Sequence, residues 1–163
     1  MMTQFLSAMD ALFAWMGTTS IARYVAESPT LTPWLSAIHL LGFTLVTGGA
    51  LVANLRLLGV LFPQQPISDV TRPASGAILL GLAISLLTGT LLFSSRATAV
   101  SANGAFQIKI LLLVAATIFH FTVHRSVTTR ASVGAQRARA TGAIGLSLWV
   151  SLAVAACAFI LLE

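Results

Sequence analysis

Charge is the first thing this chain lacks. Only 8% of its 163 residues are charged, against about a quarter in an ordinary soluble domain. Hydrophobic residues make up 57% and the mean hydropathy is +0.94, so water is the wrong solvent for it. Cys157 is the single cysteine, which excludes an internal disulfide and a thiolate metal site. Carboxylates number four (Asp10, Glu27, Asp69 and Glu163), and no pair of them falls within an apolar stretch, which excludes two-carboxylate acid and base chemistry. A phosphate-cradling glycine loop and a serine, histidine and acid set are both missing. The net charge of +5 does not make a nucleic-acid binder, because the basic residues sit at the ends of apolar runs and form no stripe interleaved with aromatics. A basic N-terminal region is also lacking and Asp10 interrupts the first apolar stretch, so no cleavable signal peptide is expected.

What is present is long apolar runs. A hydrocarbon core about 30 Å thick takes roughly 20 residues of helix, so the length allows four spans with short connections. The expected fold is all-α: an integral membrane four-helix bundle in a single membrane domain, with spans at about 34–54, 73–93, 104–124 and 141–162. An amphipathic interfacial segment, 1–28, is expected before it: Phe5, Leu6, Met9, Leu12, Phe13 and Met16 recur at helical spacing on a stretch too short and too charged to span. Pro29 and Pro33 are expected to end that segment.

Small residues mark the expected packing faces. Gly48 and Gly49 lie in the first span, Gly81, Ser85 and Gly89 recur every four residues in the second, and Ser147, Ser151 and Ala155 repeat that spacing in the fourth. Arg56, Arg72, Arg125, Arg130, Arg137 and Arg139 flank or fill the first and third connections, whereas Arg23 and Arg96 belong to the other side. The positive-inside rule then puts those two connections in the cytoplasm and both termini outside it.

Ionisable residues inside apolar spans are functional candidates by default, because a polar group in hydrocarbon must find a partner. Here they are His39, Lys109, His120 and His124. His39 shares a helical face with Gly42, Val46, Gly49 and Ala53, so it is expected to point into the bundle. His39 and Lys109 each lie five residues into their spans from the same side, about 7.5 Å deep at the α-helical rise. His120 is eleven residues beyond Lys109, about 16 Å deeper, so His39 and His120 cannot ligate one haem iron in a straight bundle.

Two constellations follow. His39 with Lys109 can hold a b-type haem, the lysine serving as second ligand or propionate partner; alternatively Lys109 snorkels to head groups or pairs with Glu27 while His39 hydrogen-bonds across helices. His120 and His124 can offer two nitrogens to one metal, yet no cysteine or glutamate accompanies them and Arg125 adjoins them, which favours polar residues near lipid phosphates. Met1, Met2, Met9 and Met16 suit Cu(I) by their thioethers, although membrane contact also accounts for Met9 and Met16.

The run His39-Leu40-Leu41-Gly42, then Gly48-Gly49, then Asn54-Leu55-Arg56-Leu57-Leu58-Gly59, resembles a family of short bacterial four-span membrane proteins of unknown function. The later run Asn103-Gly104-Ala105-Phe106-Gln107-Ile108-Lys109 adds to the match, which covers most of 34–125. The chain departs from that family's usual aspartate at Asn54, so no charge-dependent role is implied there. More distantly, His39 and Lys109 are similar to the pattern shared by the CopD copper-resistance membrane domain and HemJ-type protoporphyrinogen oxidase. The resemblance implies copper handling or haem-dependent oxidation. The resulting expectation is a small bacterial inner-membrane protein, haem-binding with a redox role, or handling copper, or a cofactor-free subunit or scaffold in a homo-oligomer or membrane redox complex. Nothing in the sequence points to stand-alone catalysis.

Overall fold

The computed structural model describes residues 11–129 and 133–162, and among these all regular structure is helical. Four helices are long and apolar enough to cross a bilayer: Leu31–Leu58, Ile67–Ser95, Gly104–Thr128 and Ala135–Leu161. The protein is thus a multi-pass membrane protein built as a four-helix bundle, and the helices are called spans one to four in that order.

Each helix extends beyond the apolar stretch read from sequence, because backbone hydrogen bonding continues past the point where side chains stop being apolar. Span one starts at Leu31, with Pro33 inside its first turn, where its missing N–H leaves no carbonyl unpaired. Span two starts at Ile67, directly after Pro66, so Pro73 lies within the helix. Gly59 closes span one in the left-handed conformation (φ 79°), its N–H donating to the Arg56 carbonyl. Asn103 caps span three by accepting from the Ala105 and Phe106 amides at 2.9 and 3.3 Å.

Around the bundle the order is two, one, four, three: span one packs on two and four, and span four on three. Spans one and two meet glycine to glycine. A Cβ on Gly81 would lie 2.5 Å from the Gly42 carbonyl oxygen, and one on Gly49 would lie 2.8 Å from that of Ala74. Gly48, expected to share this face, has nothing within 4 Å of its Cβ position. Of the small-residue spacing read in span four only Ala155 is buried: Ser147 and Ser151 are exposed, and the rest of the packing face is Gly142, Gly145, Trp149, Leu152 and Ala156. Serine hydroxyls can face outward there because Ser147 returns its proton to the Ala143 carbonyl.

Two apolar clusters fill the interior. The larger contains Val46, Ala50, Ile78, Leu82, Ala116, Trp149 and Leu152. The smaller, Leu57, Val127 and Ala138, closes the end that carries Arg56, Arg72, Arg125, Arg137 and Arg139. At the opposite end a row of aromatics runs from Phe13 through Phe93 and Phe106 to Phe159, centroids 5.3–5.7 Å apart. Helix Ser20–Glu27 packs against spans one and two, burying Ala22 and Val25, and Thr32 ties it down by donating to the Val25 carbonyl at 2.7 Å. It leaves Ile21 and Tyr24 exposed, as the preceding helical stretch 11–18 leaves Trp15. Met1, Met2, Met9 and Asp10 lie outside the described residues.

Candidate functional site

The expected residues separate into two sites at different depths. At the aromatic end, His39 turns from span one towards span two, where its Nδ1 is 3.1 Å from Thr88 Oγ1. That hydroxyl donates its one proton to the Ile84 carbonyl at 2.7 Å, so it must accept from His39. Neutral His39 therefore carries its hydrogen on Nδ1 and presents the lone pair on Nε2. Gly89 is the reason the ring fits: a Cβ there would lie 2.9 Å from His39 Cε1. Neither Thr88 nor Gly89 stands out as a partner from spacing alone, since their role depends on which residue of span two comes level with His39.

Lys109, on span three, is half-buried within electrostatic range of His39, and its Nζ lies 5.5 Å from the Phe159 ring centroid. Spans one and three, which carry His39 and Lys109, do not pack directly on each other. Lys109 and Phe159 form a cation–π contact, the alternative to lipid snorkelling for a lysine at this depth. Glu27 is exposed.

Towards the arginine-rich end, His120 and His124 behave otherwise than expected. Head-group contact is excluded for them as the structure stands: they are 2% and 1% exposed, enclosed by the bundle. Their rings stack with centroids 4.6 Å apart and 28° between planes. The helix widens into a π-helical turn over His120–His124, a deformation frequent at functional positions. Arg125, expected to repel a cation there, is exposed and so turned from the interior. Asn54, 0% exposed, lies at the same end of span one, its Nδ2 donating to the Ala50 carbonyl at 2.7 Å. In the sequence Asn54 is only a departure from a pattern, because a single uncharged amide on an apolar face gives no periodic signal.

Among the described residues no cluster of three or more His, Cys, Asp or Glu is placed to hold a metal. A shallow groove of about 410 Å³ between spans one and two, lined by Gly48, Val52, Phe62, Asp69 and Pro73, includes none of the four ionisable candidates. No curated protein and no solved structure matches the chain. The model of a family of unknown function, DUF6644, matches residues 7–161, and the chain belongs to that family.

Proposed function

We propose that this small membrane protein holds haem b through His39, at the end of the bundle opposite the arginine-rich connections, and exchanges electrons with other membrane components. The observation that carries the reading is the placement of one imidazole: with its own proton donated to Ile84, Thr88 accepts a hydrogen bond from Nδ1–H, which leaves Nε2 as a lone-pair donor. Fixing a ligand histidine through its second nitrogen is how proteins set tautomer and basicity at metal centres. The donor chemistry fits haem, since Nε2 supplies an axial ligand and Lys109 a cation for a propionate or a second ligand. A haem held there would supply one-electron exchange between ferric and ferrous iron. The chain's own part is to hold the ring, by the Thr88 bond on one edge and the space over Gly89 on the other.

The similarity to CopD and HemJ-type proteins rests on the same His39 and Lys109, and a copper-handling role is the second reading because the same lone pair can bind copper. An optical spectrum of the purified protein, oxidised and dithionite-reduced, separates the two. The expected result is a Soret band with sharp reduced α and β bands, absent from His39→Ala. A colourless protein from haem-replete cells overturns the haem reading.

The arginine-rich end is assigned to the cytoplasm of a bacterial plasma membrane, from the six-to-two excess of arginines flanking that side. A periplasm-dependent reporter fused after Glu163 is expected to be active. Activity of a cytoplasm-dependent reporter at that position reverses the assignment.

A further inference from the structure

The groove between spans one and two carries a separate inference, independent of the haem reading. Two facing stripes build it. On span one Gly48, Val52 and Arg56 recur every fourth residue and so share a face, as Asp69, Pro73 and Ala77 do on span two. Each stripe covers about 12 Å along its helix at the α-helical rise. The deep ends are level, since a Cβ on Gly49 would lie 3.4 Å from that of Ala77. The shallow ends meet at the connection, where the Arg56 guanidinium donates to the Gln65 carbonyl through Nε at 3.1 Å and also through Nη2. The groove thus runs along the bundle, charged at its mouth and apolar below it. Its volume of about 410 Å³ is in the ordinary range of small-molecule sites.

Three features of this groove are not required by packing of the bundle. Gly48 has nothing within 4 Å of its Cβ position, so no close approach demands a glycine there, and the missing side chain leaves the floor open. Phe62 lines the groove from the connection in a left-handed conformation, φ 48°, that residues with a side chain rarely adopt. Arg56 and Asp69 bring opposite charges to one mouth, yet among the described residues they do not pair with each other: Asp69 accepts from Ser68 Oγ at 3.0 Å. A base in the last turn of span one and an acid in the first turn of span two do suit the helix dipoles. That accounts for the charges and leaves the open slot beneath them unexplained.

The occupant is selected by charge. Gly48 and Pro73 are exposed, so the slot opens sideways to the bilayer, where the available filling is an acyl chain. The head group on that chain must offer an anion to Arg56 and a cation to Asp69. Phosphatidylethanolamine has both, and its primary ammonium can donate charge-assisted hydrogen bonds to a carboxylate. The quaternary ammonium of phosphatidylcholine has no N–H to donate, and phosphatidylglycerol has no cation. We propose that this groove binds one molecule of phosphatidylethanolamine, with an acyl chain along Gly48 and Val52, the phosphate on Arg56 and the ammonium on Asp69.

The test uses the full-length protein, stripped of lipid in detergent and titrated with phosphatidylethanolamine, phosphatidylcholine or phosphatidylglycerol of identical acyl chains, with native mass spectrometry counting the lipids bound. Wild type is expected to take one phosphatidylethanolamine at least about tenfold more tightly than either other lipid, the factor that a hydrogen bond to a charged group supplies. Asp69→Asn keeps the shape of the mouth and should bind phosphatidylethanolamine no better than phosphatidylcholine. Gly48→Leu fills the slot and should lose the tight equivalent while unfolding at the same temperature as lipid-free wild type. Added phosphatidylethanolamine should raise the Tm of wild type and leave that of Gly48→Leu unmoved. His39→Ala should bind the lipid as wild type does, so failure of the haem reading leaves this result standing. Equal binding of the three lipids, an undiminished preference in Asp69→Asn, or undiminished binding by Gly48→Leu would each overturn the assignment. Should Gly48→Leu fail to fold, Asp69→Asn decides.

Discussion

Replacing Gly81 with leucine is expected to prevent assembly of the bundle, whereas the same change at Gly48 will be nearly silent. At Gly81 the first added carbon would already lie 2.5 Å from the Gly42 carbonyl oxygen and 2.8 Å from the Val46 nitrogen. Both are backbone atoms of the facing helix, so no rotamer change relieves the contact and spans one and two must separate. Overpacking of a side-chain core costs about 1–3 kcal/mol, occasionally more, and a backbone obstruction belongs at the upper end. Gly48, in the same helix as Gly42, has open space where its Cβ would be. The two variants share one chemical change in an apolar span, which isolates packing from hydrophobicity. Detergent-solubilised yield and thermal unfolding measure the contrast; a Gly81→Leu protein as stable as wild type would remove the glycine seam as the basis of the fold.

The second large effect is expected around the His39 ring, where two substitutions that touch no iron should lower haem occupancy by different routes. Gly89→Ala puts a methyl 2.9 Å from Cε1 and forces the imidazole to rotate or withdraw. Thr88→Val leaves the volume almost unchanged but removes the acceptor of the Nδ1 proton, so the tautomer is no longer fixed. Loss of such an outer partner typically costs 10–100-fold in metal affinity. Thr88→Val should therefore bind haem more weakly yet recover the wild-type spectrum at high haem concentration. Thr88→Ser, which keeps the hydroxyl, should stay near wild type. Gly89→Ala should instead shift the reduced α band or fail to load. Equal haem titrations for wild type, Thr88→Val and Gly89→Ala would dissociate the hydrogen bond from cofactor binding, even if His39→Ala proves colourless.

These predictions draw unequally on sequence and structure. Spans were legible because a 30 Å apolar slab imposes one requirement on every helix that crosses it, and near-absence of charge over twenty residues is visible without any partner. The depth of each ionisable residue along its own helix is a sequence property too, since helical rise converts residue number into height. Orientation about the helix axis was less so. In span four, Ser147, Ser151 and Ala155 at every fourth position suggest a packing face, yet only Ala155 is buried and the stripe runs on through Gly142, Gly145, Trp149 and Leu152. When lipid and protein interior are equally apolar, hydrophobic periodicity no longer tells the two sides of a helix apart.

The surroundings of His120 and His124 show the same limit most clearly. Their sequence position beside Arg125, at the end of an apolar run, suits head-group contact. The structure turns Arg125 outward and both imidazoles inward, at a π-helical turn that shifts the helical phase of that stretch of span three. By itself the sequence determined a four-span bundle, the height of each ionisable group and the small number of groups able to carry chemistry, all of which follow from composition and helical rise. Only the tertiary structure decided that His39 faces Thr88 and Gly89 and that Asn54, His120 and His124 are buried. Those pairings depend on how four separate helices rotate and slide against one another, which is set by close contact between residues far apart in the chain.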